Sequence, residues 1–515
     1  MSNRAETRKK IDAWFETNSE QMIADLGKVI EINSVRSESK EGAPYGEDSR
    51  KVLSLAQSML EERGFDVRVF EDMMIIAEFG PLPSLMGILA HLDIVAIGEG
   101  WDTDPLKLVE KDGKLYARGV LDNKGPSVAA MYALYCAREL FPQFKHGVQI
   151  ILGSGEETGF DDVTQYLKKN APPPNVFTPD AEYPVVNIEK GRFMPVFGAK
   201  WEKETTLPRI ISIVGGKTPN VVPNHAEAVV EGFSVEEITA FCKDYSEKTG
   251  VTISAIEGNK AKTDEPFPCP EAKTDSLLIA RTSHSPSHGL GLEPPPLSKA
   301  SQARLCITAE GKAAHASKPE LGNNAQTALI EMLANMPFAK SKGFEYVCAL
   351  NRLFPHGDNH GAAIDINMFD DKTGRITLNF GVLRFSEYEF SGNFDSRTPS
   401  CTDDVNLLDM TKNALGKEGI DVSYHEITGC HHTPEESPFV QKLLKLYEEY
   451  TGQHGKCTSM GGLTYVHNIE GGVAFGVAMP GDDNRAHGVN EYIDKEQLIT
   501  SAKMFTQAII DMCVD

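Results

Sequence analysis

Strand-like and helix-like patterns alternate over the first 190 residues, and this alternation constrains the fold more than any other feature. Apolar runs typical of buried strands occur at 65–80, 84–96 and 184–191, and residues 122–140 open with turn residues and continue with helical spacing. Strands that alternate with helices are typical of an α/β layer. We therefore predict an α/β fold whose first domain has a mixed, mostly parallel sheet flanked by helices.

The alternation stops after about residue 190. Residues 258–302 are rich in Pro, Ser, Thr, Gly and His, which is typical of loop or inserted material. An apolar strand pattern returns at 471–481 and is followed by a closing helix. We predict one α/β domain formed by residues 1–190 and 432–515, interrupted by an α+β domain at 191–431 that carries the loop-rich insertion 258–302.

The chain is strongly acidic, with 51 Lys and Arg against 74 Asp and Glu and a formal net charge of −23. Nucleic acids and anionic membranes bind Lys and Arg through phosphate, so this charge argues against both as partners. The N-terminal sequence has no apolar leader pattern, and no run of 18 apolar residues exists to span a membrane. The nine cysteines are scattered and form no CxxC pair, which indicates reduced thiols and a cytoplasmic location.

Side chains that can bind metals recur where strand patterns end. Two glutamates stand side by side in GSGEETGFDD, directly after the apolar run VQIILG. The full set of candidates is His91, Asp93, Asp122, Glu156, Glu157, Asp180 and His487. Ligand sites of open α/β sheets form beyond the carboxyl ends of the strands, so we expect these residues to converge on one cavity. Clustered carboxylates and imidazoles would repel one another or stay unsatisfied without cations, and two divalent ions would satisfy them.

Each candidate also has an ordinary structural interpretation. Glu156 and Glu157 could lie on a surface loop, Asp122 could cap a helix and Asp180 could be a turn residue. A nucleotide-binding loop is a weaker interpretation of GSGEETG, because paired carboxylates would repel phosphates and the lysine of a phosphate loop is missing. The common placement of the candidates after strands favours a metal site.

Several motifs together resemble a known family. HLDIV is followed by ARG-x-x-D-x-KG, EE-x-G, PDAE-x-P, GK-x-AHAS-x-P-x-x-G-x-NA and H-x-x-NEY, in this order and over nearly the whole chain. This series is similar to the PepV- and carnosinase-type dipeptidases. They belong to the dinuclear metallopeptidase family that also contains aminoacylases, acetylornithine deacetylase and succinyl-diaminopimelate desuccinylase. Ala117 departs from the glycine that the family often has before Arg-Gly, and the 258–302 insertion has no counterpart.

The resemblance implies a centre of two divalent ions and a role for each candidate. The metal ligands would be His91, Asp122, Glu157, Asp180 and His487, with Asp122 bridging both ions. Asp93 would hold the imidazole of His91, and Glu156 would be the general base that takes a proton from a metal-bridging water. Histidine and carboxylate ligands without thiolates suit zinc, and manganese or cobalt would also fit.

The resemblance also implies that the inserted domain is a lid. His315 in GKAAHASKP would stabilise the developing oxyanion, Asn220 in TPNVVP would contact the substrate, and Arg397 in FDSRTP would grip its C-terminal carboxylate. A glycine-rich turn of the catalytic domain would help to place the same carboxylate through Gly461, Gly462 and Thr464. In these dipeptidases the long lid takes the place of a partner's lid, which implies a monomer.

We therefore expect a metal-dependent dipeptidase that acts on short peptides with a free C-terminal carboxylate. An N-acyl-amino-acid amidohydrolase with the same metals is the alternative enzyme. A metal- or peptide-binding protein without catalysis would require loss of Glu156 or His315, and both are present. Ordinary alternatives for the lid residues are a loop position beside a helix start for His315 and a surface ion pair with Asp395 for Arg397.

Overall fold

The computed structural model describes residues 4–258 and 304–514. The predicted insertion at 258–302 lies outside these ranges apart from residue 258. The chain divides into two compact units: the first combines Met1–Lys190 with Cys430–Asp515, and the second is Gly191–Gly429. Within the described ranges, no helix combines the length and the apolar character needed to cross a bilayer.

The N-terminal part of the first unit begins with two helices and then alternates strands with helices. Its helices are α1 (Arg4–Ile30), α2 (Glu47–Glu62), α3 (Lys124–Leu140) and α4 (Asp161–Lys169). Its strands are β1 (Asp66–Phe70), β2 (Met74–Phe79), β3 (Ser84–His91), β4 (Val109–Lys111), β5 (Lys114–Tyr116), β6 (Gly147–Gly153), β7 (Asn175–Thr178), β8 (Ala181–Glu182) and β9 (Val185–Glu189).

The second unit is richer in strands. They are β10 (Gly191–Lys200), β11 (Arg209–Gly215), β12 (His225–Glu231), β13 (Thr252–Glu257), β14 (Arg304–Glu310), β15 (Phe369–Asp370), β16 (Gly374–Arg375), β17 (Thr377–Phe385), β18 (Glu389–Thr398) and β19 (Asp421–Thr428). Its helices are α5 (Val235–Thr249), α6 (Ala325–Ala334), α7 (Lys342–Leu353) and α8 (Met410–Lys417).

The C-terminal part returns to the first unit with two long helices and short strands. The helices are α9 (Pro438–Thr451) and α10 (Lys495–Cys513). The strands are β20 (His431–His432), β21 (Cys457–Met460), β22 (Val473–Ala474), β23 (Val477–Ala478) and β24 (Tyr492–Asp494).

The first unit is built on a nine-stranded sheet with the order β1-β2-β6-β3-β7-β22-β9-β20, and β21 pairs with β9. The central pairings, from β6 through β3 and β7 to β22, are parallel, whereas β1, β2 and β20 join antiparallel. Ile150 and Leu152 of β6 pack in the core with α3 and α10, and Ile151 packs on the other face with residues of α4. Burial on both faces explains the continuous apolar run of β6 and confirms the predicted mixed α/β class.

The register of the central strands brings several loops to one edge of this sheet. His91, the last residue of β3, lies opposite Gly153, the last residue of β6. Strand β7 runs parallel beside β3 and ends at Thr178. The segments that follow β3, β6 and β7 therefore leave the sheet side by side.

The second unit contains an eight-stranded antiparallel sheet with the order β13-β14-β12-β11-β17-β18-β10-β19. Helix α5 begins at a capping box between Ser234 and Glu237 and ends at Gly250, whose φ of 69° is left-handed. The rings of Phe197, Phe354 and Phe380 contact one another in the core of the second unit, with Phe197 and Phe354 stacked. The predicted α+β character of the inserted domain is confirmed.

Candidate metal centre

The predicted ligands come from loops at one edge of the large sheet of the first unit. These loops supply His91 at the end of β3, Asp122 before α3, Glu157 after β6, Asp180 after β7 and His487 before β24. The parallel strands β3, β6 and β7 deliver His91, Glu157 and Asp180, because these residues lie where neighbouring strands end. Asp122 lies between β5, a strand of a separate three-stranded sheet, and α3. His487 lies on the loop before β24 and contacts Asp122 and Glu157 directly.

Asp122 stands between the two histidines. Its Oδ1 is 3.0 Å from Nε2 of His91, and its Oδ2 is 2.9 Å from Nε2 of His487. Asp180 Oδ2 lies 3.5 Å from the same His91 nitrogen, and Glu157 Oε1 lies 3.2 Å from that of His487. Two groups of donors share Asp122, one with His91 and Asp180 and the other with Glu157 and His487. A third group joins His91 with Glu156 and Glu157, and in each group the donor atoms lie within 4.8 Å of one another.

This donor set fits a pair of divalent cations. Nε2 of His91 and Oε1 of Glu157 are buried, and the charged groups close to them are not aligned for good hydrogen bonds. A buried polar atom without a partner is costly, and a cation would satisfy both atoms. Imidazole nitrogens and carboxylate oxygens are ligands that zinc accepts, and manganese or cobalt also accept them. The shared carboxylate of Asp122 would give each of two ions one oxygen donor.

The acidic groups perturb one another strongly. Burial alone would lower the pKa of His91, but the charge of Asp180 and hydrogen bonds with the neighbouring carboxylates raise it well above its ordinary value. Burial and the charge of Asp122 raise the pKa of Glu157 to about 7. Burial also raises the pKa of Glu156, with the charge of Asp180 adding to it and that of His91 opposing it. Without cations the site therefore retains protons that metal binding would displace.

Asp93 organises both sides of this cluster. Nδ1 of His91 lies 3.1 Å from the backbone carbonyl of Asp93 and 3.3 Å from its Oδ1, and the orienting role of the carboxylate stays a prediction. The carboxylate of Asp93 also accepts the backbone N–H groups of Glu156, at 3.3 Å, and Glu157, at 3.0 Å. One buried carboxylate thus connects the end of β3 with the loop after β6.

The comparison with known proteins places the chain in a family. A sequence model of the peptidase family M20/M25/M40 matches residues 87–511. The chain belongs to this family. It is a hydrolase that acts on peptide bonds, and the resemblance to a dinuclear metallopeptidase family is confirmed.

Relatives match over almost the full length. The chain is 29% identical over 498 residues to a Bacillus subtilis (strain 168) protein named "Putative dipeptidase YtjP", covering 96% of this chain and 97% of the relative. A Staphylococcus aureus (strain USA300) protein of the same designation is 29% identical over 503 residues, covering 96% and 98%. Human carnosine dipeptidase 1 superposes with a TM-score of 0.54 at 13% identity, over 98% of both chains. Dug1p of Saccharomyces cerevisiae gives 0.52 at 15% identity, over 99% of this chain and 98% of its own. The two structures share the fold.

Three supporting residues of this M20 member were not predicted. The side-chain amide of Asn123 donates to Oδ1 of Asp180 at 3.0 Å and fixes that carboxylate. Glu491 and Arg118 form a buried ion pair of 2.6 Å behind Asp122. Their positions within the D-x-KG, NEY and ARG motifs were the available signal, but the motifs alone assign no role to them.

The loop before Glu156 has an anchor of its own. Oδ2 of Asp162 accepts the N–H groups of Ser154 and Gly155 at 3.0 and 2.9 Å, and it also accepts the hydroxyl of Tyr465. Burial raises the pKa of Asp162 to about 6. These bonds hold the turn that delivers Glu156 to the cluster.

The second unit brings two of the predicted lid residues together. Val221 and His315 form an isolated antiparallel bridge, and the N–H of Ala316 donates to the carbonyl of Asn220 at 2.9 Å. Asn220 and His315 therefore lie on two paired loops, and both are exposed. His315 Nδ1 is 2.7 Å from the hydroxyl of Ser317. Their proposed contacts with a substrate stay predictions.

Arg397 is buried near the end of β18. Its Nε and Nη2 donate to the two carboxylate oxygens of Asp395 at 2.7 and 3.1 Å. The ion pair with Asp395 is thus present, but it is buried and does not lie on the surface as the ordinary alternative expects. Thr377 links this residue to the His315 loop, because its hydroxyl donates to the carbonyl of Ala316 and accepts the N–H of Arg397. The grip on a carboxylate by Arg397 stays a prediction.

The glycine-rich turn lies in the first unit beside β9. Gly461 and Gly462 are half-buried, whereas Thr464 is buried and donates through both its hydroxyl and its N–H to Glu189. His467 Nδ1 lies 3.0 Å from the same carboxylate. The hydroxyl of Thr464 is therefore engaged in holding the turn, and the two glycines form its accessible part.

Proposed function

We propose that this protein is a dinuclear metal-dependent dipeptidase. The observation that carries the proposal is the position of Asp122, whose two oxygens each face a different histidine within two groups of clustered donors. A single carboxylate shared in this way suits two ions held close together. Zinc is the first choice, with manganese or cobalt as alternatives.

In this proposal each residue of the cluster has one task. His91 and Asp180 hold one ion, Glu157 and His487 hold the other, and Asp122 belongs to both. When bound, the ions supply Lewis-acid chemistry that makes water more acidic and polarises the scissile carbonyl. Glu156, buried 4.0 Å from His91, takes a proton from the attacking water and later delivers it to the amine of the leaving residue.

The second unit supplies the proposed contacts with the substrate. His315 donates to the oxyanion as it develops, and Asn220 on the paired loop contacts the substrate. Arg397 binds the C-terminal carboxylate together with Gly461 and Gly462. Arginine suits this task because its planar guanidinium can bind a carboxylate through two donors at once.

The names of the relatives support dipeptides as the substrate class. Two bacterial relatives carry a dipeptidase designation, and the two solved structures are titled as dipeptidases. The alternative is an N-acyl-amino-acid amidohydrolase, in which the same ions and base would act on an acyl group. We also propose a monomer, because one chain carries every residue of the set. A cytoplasmic location is supported by the cysteines of the described ranges, which form no disulfide.

The test combines metal analysis with a substrate panel on the purified chain. We expect two divalent ions per chain and loss of turnover after chelation. The panel compares a dipeptide, its C-terminal amide, a tripeptide and an N-acetyl amino acid. Loss of a charge-assisted pair with Arg397 costs roughly 2–5 kcal/mol, so the amide should be about 30- to 4000-fold slower in kcat/KM. Equal turnover of dipeptide, amide and tripeptide would refute the proposed binding of the C-terminal carboxylate by Arg397. Preference for the N-acetyl amino acid would favour the amidohydrolase.

Arg397→Lys is the matched variant for this panel. Replacement by alanine would leave Asp395 buried without its partner and could unfold the unit. Lysine keeps the charge beside Asp395 but loses the fork. We expect it to narrow the difference between dipeptide and amide, mainly by slowing the dipeptide.

A further inference from the structure

A buried carboxylate supports the backbone that carries Asp122. Glu491 is fully buried, and its Oε1 accepts the N–H groups of Leu121, at 2.9 Å, and Asp122, at 3.2 Å. Its Oε2 accepts the N–H of Gly119 at 3.2 Å and Nη1 of Arg118 at 2.6 Å. Four donors from one short segment thus converge on a single side chain. The loop before α3 takes its shape around Glu491.

The partner of Glu491 extends this support to the opposite loop. Nη2 of Arg118 donates to the carbonyl of His487 at 3.2 Å and to that of Ile97 at 3.3 Å. The guanidinium also lies 5.2 Å from the ring of Trp101. The backbone of His487 has a φ of 60°, a left-handed conformation that is unfavourable for a residue with a side chain. A fixed hydrogen bond to its carbonyl helps to maintain that conformation.

We propose that Arg118 and Glu491 are positioning residues that govern the binding of one ion more than the other. The pair binds the backbone of Asp122 and His487, which are two of the three donors in the group with Glu157. This inference rests on the proposed dinuclear centre.

The other donor group is held mainly by different contacts. His91 lies at the end of a central strand, and its carbonyl accepts the hydroxyl of Ser127 at 2.8 Å. Asp180 is fixed by the side-chain amide of Asn123 at 3.0 Å. Only Asp122 is common to both groups. Disruption of the pair should therefore weaken the ion at His487 and leave the ion at His91 largely bound.

The experiment uses the full-length chain with Glu491→Gln and, separately, Arg118→Lys. In Glu491→Gln, the side-chain NH₂ group replaces one carboxylate oxygen. This group is a donor, so it cannot accept the backbone N–H groups that the oxygen accepts in the unsubstituted chain. In Arg118→Lys, one ammonium group cannot reproduce the separate bonds to Glu491 and the carbonyl of His487. Each protein is loaded with zinc and dialysed against stepwise increases of a chelator. Bound zinc is then counted by elemental analysis.

We expect each variant to lose its first ion at a chelator concentration that removes neither ion from the unsubstituted chain. Each variant should retain one ion over a range in which the unsubstituted chain retains two. The dissociation constant of the lost ion should rise about 10- to 100-fold, as is typical when a residue that orients a ligand is replaced. This readout is independent of peptide hydrolysis.

Asp25→Asn is the matched control. Asp25 is also a buried carboxylate of the first unit, and it accepts the hydroxyl of Tyr132 at 2.7 Å and pairs with Lys28. None of the proposed ligands is among these partners. The control should lower the melting temperature of the metal-free protein without changing its zinc curve.

The possible outcomes separate this inference from the proposed function. If the unsubstituted chain binds fewer than two ions, the proposed dinuclear centre fails. If it binds two and both variants lose the ions in parallel, or lose neither, the positioning role is wrong while the centre stands. Failure of both variants to fold would show that the pair serves the fold, and would also overturn the proposal. A zinc curve of Asp25→Asn that matches those of the variants would do the same.

Discussion

Glu156 and Glu157 are adjacent in sequence, but they face different partners. Oε1 of Glu157 is 3.2 Å from Nε2 of His487, so the two side chains would hold the same ion in the proposed centre. Oε2 of Glu156 is 4.0 Å from Nε2 of His91. Glu156 is therefore close to the cluster, but this distance is longer than the one between Glu157 and His487. Asp93 accepts the N–H groups of both glutamates, so the turn places the two side chains reproducibly. This arrangement permits one to bind metal and the other to move protons.

The corresponding substitutions should have different effects. Glu156→Gln keeps its shape but cannot take a proton, so we expect nearly full metal content and turnover lowered roughly 10²- to 10⁴-fold. Glu157→Gln replaces a charged ligand and should deplete metal as well as turnover. Elemental analysis beside steady-state kinetics distinguishes the two. Equal metal contents in the two variants would refute this division of tasks.

The ligands could be predicted because each follows a pattern that is local in sequence. His91 ends an apolar run, and Glu157 follows another. Asp162 and Tyr465 carry no such signal, since their hydrogen bond joins residues 303 positions apart. The second task of Asp93, which binds the loop after β6, is hidden for the same reason. Sequence identifies residues that follow strands, but it does not show which distant backbone a buried carboxylate will bind.

At the scale of elements, apolar patterns locate strands better than they locate turns. The pattern at 65–80 forms two strands, β1 and β2, because the chain reverses at Glu71 and Asp72, whose φ values are 46° and 57°. The pattern at 471–481 forms only the short strands β22 and β23. Neither Glu71 nor Asp72 is a glycine, so the local sequence gives no signal that the backbone is left-handed at this turn. The long buried run of β6 carried no such ambiguity.

The paired loops of Asn220 and His315 depend on one side chain of β17. The amide of Asn379 is buried and donates to the carbonyls of Pro219 and Val221, at 2.8 and 3.0 Å. It therefore holds the turn on both sides of Asn220. The loops are fixed from the sheet, although both carry exposed residues.

Asn379→Leu should release this turn. Loss of two hydrogen bonds of about 1 kcal/mol each corresponds to roughly 25-fold in kcat/KM if the proposed contacts of the loop act in the transition state. Metal content should be unchanged, because every proposed ligand belongs to the first unit. Tyr346→Phe is the control, since it removes only the bond to the carbonyl of Gly419 in the same unit. An unaltered kcat/KM for Asn379→Leu would mean that the loop takes no part in turnover.

At the scale of the whole molecule, the two units divide the proposed tasks. All proposed metal ligands lie in the unit formed by Met1–Lys190 and Cys430–Asp515, and His315, Asn220 and Arg397 lie in Gly191–Gly429. The sequence predicts this interruption because its α/β alternation stops and later resumes. It does not predict how the buried acidic cluster affects the stability of the first unit, since that depends on burial and on distances between loops.

The cluster should make the metal-free protein less stable as pH rises. The pKa of Glu157 is about 7 in the folded chain against an ordinary 4.5, so the folded state binds more protons than the unfolded state between these values. The free energy of unfolding therefore falls as pH rises through this window. The raised pKa values of His91, Glu156 and Asp180 act in the same direction, and that of Asp122, which is lowered, changes only at more acidic pH.

Bound ions should remove this loss, because the ligands are then deprotonated and paired with positive charge. We expect the difference in melting temperature between zinc-loaded and chelator-treated protein to increase steadily from pH 5 to about pH 7.5, at constant free zinc. Groups outside the cluster titrate in both forms and cancel in the difference. His487→Ala, which removes one proposed ligand but leaves His91, Asp122 and Asp180, should reduce the increase. A difference that stays constant across this range would mean that the buried cluster exchanges no protons when metal binds, and the assignment of these residues as ligands would then be wrong.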